Sequence, residues 1–341
     1  MRIVVIGAGR MGVIRAEDLV ADGRVEEIII ANRRPEHAAE LAARLDAVSG
    51  PRVTTAPWGE WPDADGYAVT TATDTHAELI GALASRGKPL LVEKPLAMTL
   101  EECDELIAVT EHMQIGFQRR FDAGIRRIKE AIDSGRLGVL YSLTLTAHDI
   151  APGTPEFIAG SGGTFRDMLV HDLDLARWLT GSEIASVYAT GTARHHPDYA
   201  AVDDFDVVTA TLTTRDGVPV LVSGTRHDPV GHDIRIEAFG SLDSMSAGLT
   251  RRTPLHVADD PAEPLLGASL AHSADEPETY RGFMDRFRPA FTAETSAYVD
   301  FVRGERDNPC TPAEARAALA LALACDLSAR EGRVVDVAEV G

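Results

Sequence analysis

Short apolar runs separated by amphipathic stretches fill the amino-terminal part of the chain. These runs, rich in β-branched residues, are Ile3–Ile6, Ile28–Ala31, Tyr67–Thr71 and Pro89–Val92. A strand of a parallel sheet is covered on both faces, so it reads as an unbroken apolar run. Residues 1 to about 117 therefore predict alternating strands and helices, with a helix beginning at Val13 and another over Pro35–Ala47.

Glycines follow the first apolar run, in the stretch Gly7-Ala8-Gly9-Arg10-Met11-Gly12. The first glycine permits a tight turn, the second lets the backbone approach a pyrophosphate, and the third lets helix pack on strand. The helix N-terminus then faces the phosphates. Strand, glycines and helix in this order predict a dinucleotide-binding Rossmann domain; the alternative is a glycine-rich turn without a ligand.

The second apolar run ends at Asn32-Arg33-Arg34. Folds that prefer NAD usually carry an acidic residue here, which holds the ribose 2′-hydroxyl. Asn32 removes the repulsion toward a 2′-phosphate, and Arg33 or Arg34 can donate charge-assisted hydrogen bonds to it. NADP is therefore predicted, with NAD as the alternative. A second interpretation is that both arginines only begin the solvated face of the next helix.

The later strands also end in polar residues. The run Pro89–Val92 stops at Glu93-Lys94-Pro95, and ligands of open α/β sheets sit at the carboxyl ends of strands, so Lys94 is placed to reach a substrate. The strand before it ends in residues predicted to line the cofactor, namely Thr71, Ala72, Thr73 and His76. His76 could equally cap and pack the following helix.

After residue 118 the pattern changes. The stretch Gln114–Asp122 predicts a last strand crossing into a second domain, followed by a helix to about Ser134. Further strands are predicted over 139–147 and near 184–194, 204–214, 217–226 and 232–239. Strands without intervening helices favour a large, mainly antiparallel open sheet. Helices are predicted to return at about 289–303 and 312–331. The chain is thus α/β, with a Rossmann domain over 1–118 and a substrate-binding α/β domain over 119–341; residues 258–289 have no assigned role.

The clearest chemical signal is a helical stretch after the loop Ile150–Gly163. At about 100° per residue, one face carries Asp167, His171, Asp174 and Trp178. Asp167 and His171 stand at i and i+4, so the carboxylate can hold the imidazole in one tautomer and raise its basicity. This pair predicts an acid/base device; the alternatives are a structural histidine or a metal site. No Cys or second His stands at helical spacing, so no metal is predicted.

Composition excludes several classes of function. There are 33 basic and 53 acidic residues, a net charge of −20, which argues against binding to nucleic acid or anionic membranes. The three cysteines show no metal spacing and suggest reduced thiols. No signal peptide or membrane-spanning run is read in the sequence, so a cytoplasmic location is expected.

Taken together, these stretches resemble the glucose–fructose oxidoreductase / inositol dehydrogenase / rhizopine-catabolism (Gfo/Idh/MocA) family. The matching motifs are the amino-terminal glycines, Glu93-Lys94-Pro95, the Gly116–Asp122 stretch, and Gly162-Gly163 followed by Asp167, His171 and Asp174. The resemblance implies that Lys94, Asp167 and His171 are catalytic and that the first glycine motif, with Arg10 and Met11, and the Glu93-Lys94 stretch bracket the cofactor. It also implies a frequently cis Lys94–Pro95 peptide and an open sheet that serves as an oligomer interface, hence a homodimer or homotetramer.

A mechanism follows from these residues. Neutral His171 would take the hydroxyl proton of a secondary alcohol while hydride leaves its carbon, and Lys94 would stabilise the developing alkoxide. Substrate contacts are predicted for Lys94, Arg120, Asp149, Asp167 and His171. The predicted substrate is a sugar, inositol or related polyhydroxy compound. The alternatives are a dinucleotide-binding sensor without turnover and a reductase of a keto-sugar or cyclic imine.

Overall fold

The computed structural model describes residues 1–47, 50–194, 196–248 and 279–341. Within them the chain divides into two compact units. Unit 1 comprises Met1–Asp122 and Pro289–Leu319, and unit 2 comprises Ala123–Arg288 and Ala320–Gly341. No helix of the described ranges has both the length and the apolar character needed to cross a membrane.

Unit 1 is built on a parallel sheet. Its strands are β1 (Arg2–Ile6), β2 (Glu27–Ala31), β3 (Arg52–Ala56), β4 (Gly66–Val69), β5 (Leu90–Glu93) and β6 (Met113–Gly116). Its helices are α1 (Arg10–Ala21), α2 (Pro35–Asp46), α3 (His76–Ala84) and α4 (Leu100–Val109). Every strand pair is parallel, and the strand order is β3-β2-β1-β4-β5-β6, which is the Rossmann order. The predicted Rossmann fold is confirmed.

Three local expectations differ from the structure. Helix α1 begins at Arg10 and not at Val13, because Gly9 already adopts the N-cap position. The stretch Gln114–Asp122 is not one strand: β6 ends at Gly116, and Gln118–Phe121 forms a helical turn. Strand β3 was not expected, since Arg52–Ala56 contains no continuous apolar run and lies at the edge of the sheet.

Unit 2 carries a mixed sheet. Its strands are β7 (Leu140–His148), β8 (Ile184–Thr192), β9 (Val207–Thr214), β10 (Pro219–Thr225), β11 (Asp233–Gly240), β12 (Ser244–Ala247) and β13 (Val335–Asp336). Its order among the described residues is β12-β11-β7-β10-β9-β8-β13. All these neighbours pair antiparallel except β7 with β10, which are parallel. The mainly antiparallel sheet is confirmed.

The remaining helices follow in chain order. They are α5 (Ala123–Asp133), α6 (Pro155–Gly160), α7 (Val170–Thr180), α8 (Pro197–Ala201), α9 (Phe283–Val302) and α10 (Pro312–Glu331). The sequence prediction placed everything after residue 118 in the second domain, whereas residues 289–319 pack in unit 1. The reason is a buried charge: Arg15 of α1 is fully buried and donates to Glu294 at 2.5 Å and to Thr295 at 3.1 Å. A buried guanidinium must be paired, and the partners come from α9.

One face of the unit 2 sheet is exposed. A lateral row across it is set by register, in which Tyr188 pairs with Thr211, Thr211 with Leu221, and Leu221 with Thr144. Leu221 is 51% exposed and Tyr188 43%. Residues directly opposite each other share a face, so this row lies on one side of the sheet. In the described residues of unit 2 this face therefore exposes apolar side chains to solvent.

Candidate active site

The glycine turn after β1 is shaped as a phosphate cradle. Gly7 has φ of +111°, a conformation that suits glycine. A Cβ on Gly12 would lie 1.9 Å from the Gly7 carbonyl oxygen, so only glycine allows helix α1 to pack there. A Cβ on Gly9 would meet no atom within 4 Å, so the space beside the N-cap is open. Arg10 and Met11 form the first turn of α1, whose backbone N–H groups suit an anion.

Asn32 closes the turn from the end of β2. Its Oδ1 accepts a hydrogen bond from the Ala8 amide at 3.0 Å, and its Nδ2 donates to the Arg34 carbonyl at 2.9 Å. These bonds hold Asn32 at the position where NAD-preferring folds carry the carboxylate that binds the ribose. Arg33 is exposed; its guanidinium lies 5.2 Å from the Trp58 ring centre and 3.8 Å from Glu78. Arg34 is exposed at the start of α2.

The end of β4 is held by threonines. Thr75 Oγ1 donates to the Ala72 carbonyl at 2.7 Å and lies 2.6 Å from Thr71 Oγ1, in the helical turn Thr73–Thr75. His76 is fully buried, and its Nδ1 lies 3.0 Å from the Leu96 carbonyl oxygen. Burial lowers the pKa of His76, which favours the neutral ring. His76 therefore supports the Leu96 segment, and its predicted contact with the cofactor stays a prediction.

The Glu93-Lys94-Pro95 stretch ends β5. The Lys94–Pro95 peptide bond is cis, as the family resemblance implied. Glu93 accepts from Arg15 Nε at 2.8 Å, so its carboxylate is engaged inside unit 1. A Cβ on Gly116 would come within 2.8 Å of Glu93, which explains the glycine at the end of β6. Lys94, half-buried, follows this fixed carboxylate directly.

Asp167 lies in a π-helical turn, Phe165–Leu169, that leads into α7. It accepts a hydrogen bond from Arg226 Nη2 at 2.9 Å, a partner that the sequence analysis did not identify. Burial alone lowers the pKa of Arg226, but the carboxylates of Asp167 and Asp149 outweigh it and raise this pKa overall. Arg226 therefore stays charged. His171, four residues after Asp167, is 9% exposed on α7.

Strand register brings Asp149, Arg226 and His232 to one end of the unit 2 sheet. The parallel pairing of β7 with β10 sets His148 opposite Thr225, so Asp149 and Arg226 leave their strands side by side. The antiparallel pairing of β7 with β11 sets His148 opposite Asp233, so His232 neighbours Asp149. Arg226 Nη1 lies 3.4 Å from Asp149 Oδ2, and His232 Nδ1 lies 3.4 Å from Asp149 Oδ1.

The start of the helical segment is anchored by Asp204. This buried carboxylate accepts from the Thr164 amide at 3.0 Å, and Thr164 Oγ1 donates to the Phe205 carbonyl at 2.6 Å. Gly163 has φ of +101°, and a Cβ there would lie 3.3 Å from Asp204. The Gly162-Gly163 pair thus lets the start of the helical segment approach Asp204. The contacts of Asp204 then fix the turn that presents Asp167.

Arg120 lies in unit 1, and the structure pairs it with Glu314. Arg120 Nη1 donates to Glu314 Oε1 at 2.5 Å, and the arginine is 4% exposed. Arg120 therefore has a structural role at the start of α10. The substrate contact predicted for it stays a prediction.

Most of the chain matches the models of a known protein family. Residues 1–118 match the model described as an oxidoreductase family with an NAD-binding Rossmann fold, and residues 125–246 match the GFO/IDH/MocA C-terminal domain. The chain is 33% identical to myo-inositol dehydrogenase Hyg17 of Streptomyces leeuwenhoekii over 342 residues, which is 98% of this chain and 99% of that protein. This chain belongs to the GFO/IDH/MocA oxidoreductase family.

Further relatives agree with this assignment. The scyllo-inositol 2-dehydrogenase (NAD⁺) of Bacillus subtilis is 32% identical, over 99% of this chain and 96% of its own length. The crystal structure of a myo-inositol dehydrogenase from Corynebacterium glutamicum superposes with a TM-score of 0.86 at 30% identity, covering 98% of each chain. The GFO/IDH/MocA protein described here is thus an oxidoreductase whose amino-terminal residues match the NAD-binding Rossmann fold of its family.

Proposed function

We propose that this protein transfers hydride between a nicotinamide cofactor and a ring secondary alcohol of an inositol or a related polyhydroxy compound. The observation that carries the proposal is a polar set in unit 2, in which the buried Arg226 contacts the partly exposed carboxylates of Asp167 and Asp149. Ionised carboxylates accept several hydrogen bonds each, and substrate hydroxyls can donate to lone pairs that Arg226 does not occupy. An apolar substrate would displace water from these groups without offering them hydrogen bonds in exchange, at a cost in affinity. The relatives named as inositol dehydrogenases support the same substrate class.

The roles of the side chains follow from their chemistry. When bound, the oxidised nicotinamide supplies the hydride acceptor. His171 takes the hydroxyl proton in oxidation and returns it in reduction, a role in which a positioned side chain contributes about 10²–10⁴-fold. Lys94 stabilises the charge that develops on the substrate oxygen. Asp167 is a substrate or His171 contact, and Arg226 keeps its carboxylate oriented.

We propose NADP as the preferred cofactor. The open space at Gly9 and the helix N-terminus suit a pyrophosphate, and Asn32 offers an amide where NAD-preferring folds present a carboxylate. Arg33 and Arg34 are exposed at the end of β2, where a 2′-phosphate can receive charge-assisted bonds. The Glu78 carboxylate, 3.8 Å from Arg33, opposes the binding of a 2′-phosphate there. NAD is the competing cofactor, since the B. subtilis relative is named for NAD⁺.

We propose a homodimer or homotetramer formed through the exposed face of the unit 2 sheet. Its exposed apolar side chains include Tyr188, Leu221 and Phe239. Pairing two such faces would remove these side chains from water, which favours association.

The proposed function is tested by following cofactor reduction with myo-inositol, scyllo-inositol and cyclohexanol, with NADP⁺ and with NAD⁺. Turnover of the inositols without turnover of cyclohexanol is expected, because cyclohexanol offers one hydroxyl and no partner for the remaining polar groups. Cofactor binding without turnover of any alcohol or ketone would instead favour a sensor. A cyclohexanol rate equal to the inositol rates would contradict the polar-site argument.

A further inference from the structure

His232 is a buried histidine that the mechanism above does not use. It directly precedes β11 and is 3% exposed. Its backbone amide donates to the Tyr280 carbonyl at 2.8 Å, which fixes the main chain. Its Nδ1 lies 3.4 Å from Asp149 Oδ1, so one edge of the ring faces a carboxylate.

The other ring nitrogen is unsatisfied. Nε2 of His232 is buried and has no hydrogen-bond partner within the ranges that the structure describes. Buried polar atoms in folded proteins are nearly always hydrogen-bonded, so an orphaned one calls for an explanation such as a ligand. The carboxylate at Nδ1 favours the tautomer that carries its proton on Nδ1. Nε2 is then an acceptor that suits a hydroxyl donor.

The position of His232 connects it to the predicted substrate contacts. Asp149, which faces His232, also contacts Arg226, and Arg226 donates to Asp167. Arg226 further lies 3.4 Å from Thr164 Oγ1, at the start of the turn that presents Asp167. A continuous row of polar groups therefore runs from Asp167 to His232 within unit 2.

We propose that His232 accepts a hydrogen bond through Nε2 from a substrate hydroxyl other than the one that is oxidised. Asp149 is then a positioning residue, which holds the imidazole with Nε2 free to accept. His232 would thus help determine which polyol stereoisomer fits. This inference rests on the proposed function, because it names the part of the same site that reads a second hydroxyl.

Two variants separate the ring nitrogens. His232→Asn places an amide near the Nδ1 position, beside Asp149, and removes the group at Nε2. His232→Gln reaches the Nε2 position with an amide that can still accept. Both variants are assayed for kcat/KM on myo-inositol and on its monodeoxy analogues, with NADPH affinity measured as the control for folding and cofactor binding.

A single analogue should identify the hydroxyl. For wild type, removing the hydroxyl that His232 reads should lower kcat/KM about tenfold, as expected for one lost hydrogen bond. His232→Asn should then treat myo-inositol and that analogue alike, while His232→Gln retains part of the difference. NADPH affinity should be unchanged in both.

Two results would overturn the inference. One is that His232→Asn lowers kcat/KM by the same factor for every analogue, which indicates a structural role. The other is that His232→Asn keeps the wild-type discrimination at every position. A wild type that turns over no cyclitol would instead refute the proposed function itself, and this inference with it, so the two failures are distinguishable.

Discussion

Replacing Glu294 with glutamine should change how the stability of unit 1 depends on pH. Glu294 and Glu93 both contact the guanidinium of Arg15, at 2.5 Å and 2.8 Å, so two carboxylates share one buried cation. Burial raises the pKa of Glu294, Arg15 opposes the rise, and Glu93 adds to it, which gives a pKa of about 7. One of the two carboxyl groups thus stays protonated at pH values well above the ordinary pKa of a glutamate.

The size of the effect follows from linkage. The pKa of Glu294 is higher in the folded protein than in the unfolded chain. Protonation of Glu294 therefore stabilises the fold, fully below about pH 4.5, and this stabilisation is lost as the pH rises through about 7. A rise from 4.5 to about 7, at about 1.36 kcal/mol per pKa unit, amounts to about 3 kcal/mol of the free energy of unfolding. Glu294→Gln has no proton to lose and keeps an amide beside Arg15, so its stability lacks this decline.

Urea unfolding measures the difference. Trp58 and Trp61 report on unit 1, and Trp178→Phe removes the tryptophan of unit 2 from the signal. Between about pH 5 and pH 8 the wild-type free energy of unfolding should fall by about 3 kcal/mol relative to that of Glu294→Gln. Glu40→Gln, on the exposed part of α2, removes the same charge and should leave the wild-type curve unchanged. Parallel curves for wild type and Glu294→Gln would refute the reasoning.

Three further predictions concern the cofactor, the assembly and the polar row. Arg33→Ala should weaken NADPH binding about tenfold to hundredfold and NADH binding little, whereas the matched Arg44→Ala should affect neither in fluorescence titration; equal losses of both cofactors would make Arg33 mere surface charge. Leu221→Glu, on the exposed sheet face, should dissociate the oligomer in light scattering, while Leu242→Glu should not; a monomeric wild type contradicts this. Arg226→Gln should cost about 1.5–3 kcal/mol in urea unfolding and lower kcat, because the partly exposed carboxylates of Asp149 and Asp167 lose their charged partner; unchanged stability would show that the pairing is dispensable.

Local patterns were sufficient for the fold class and for the helical segment that carries Asp167 and His171. Continuous apolar runs and the order of strand, glycines and helix predicted the Rossmann sheet, because these signals lie within a few residues of one another. The spacing of Asp167 and His171 likewise marked the helical segment after Gly162-Gly163. These features depend on local geometry, which a sequence displays directly.

Partners that come from distant strands could not be predicted. Arg226 reaches Asp167 and Asp149 only because β7 and β10 pair in parallel, and that pairing joins segments far apart in sequence. The same holds for His232, whose place beside Asp149 depends on the register of β11. The burial of Arg15 could not be predicted either, since its partner Glu294 comes from a helix near the other end of the chain.

The most direct test of the central claim is the transfer of deuterium from the ring carbons of labelled myo-inositol to the cofactor. Mass spectrometry of the reduced nicotinamide product should show one deuterium per molecule of ketone formed. His171→Ala should bind NADPH as wild type does but form this product at a rate lower by about 10²–10⁴-fold. Failure of the wild-type protein to transfer deuterium to NADP⁺ or NAD⁺, with NADPH binding intact, would contradict the account.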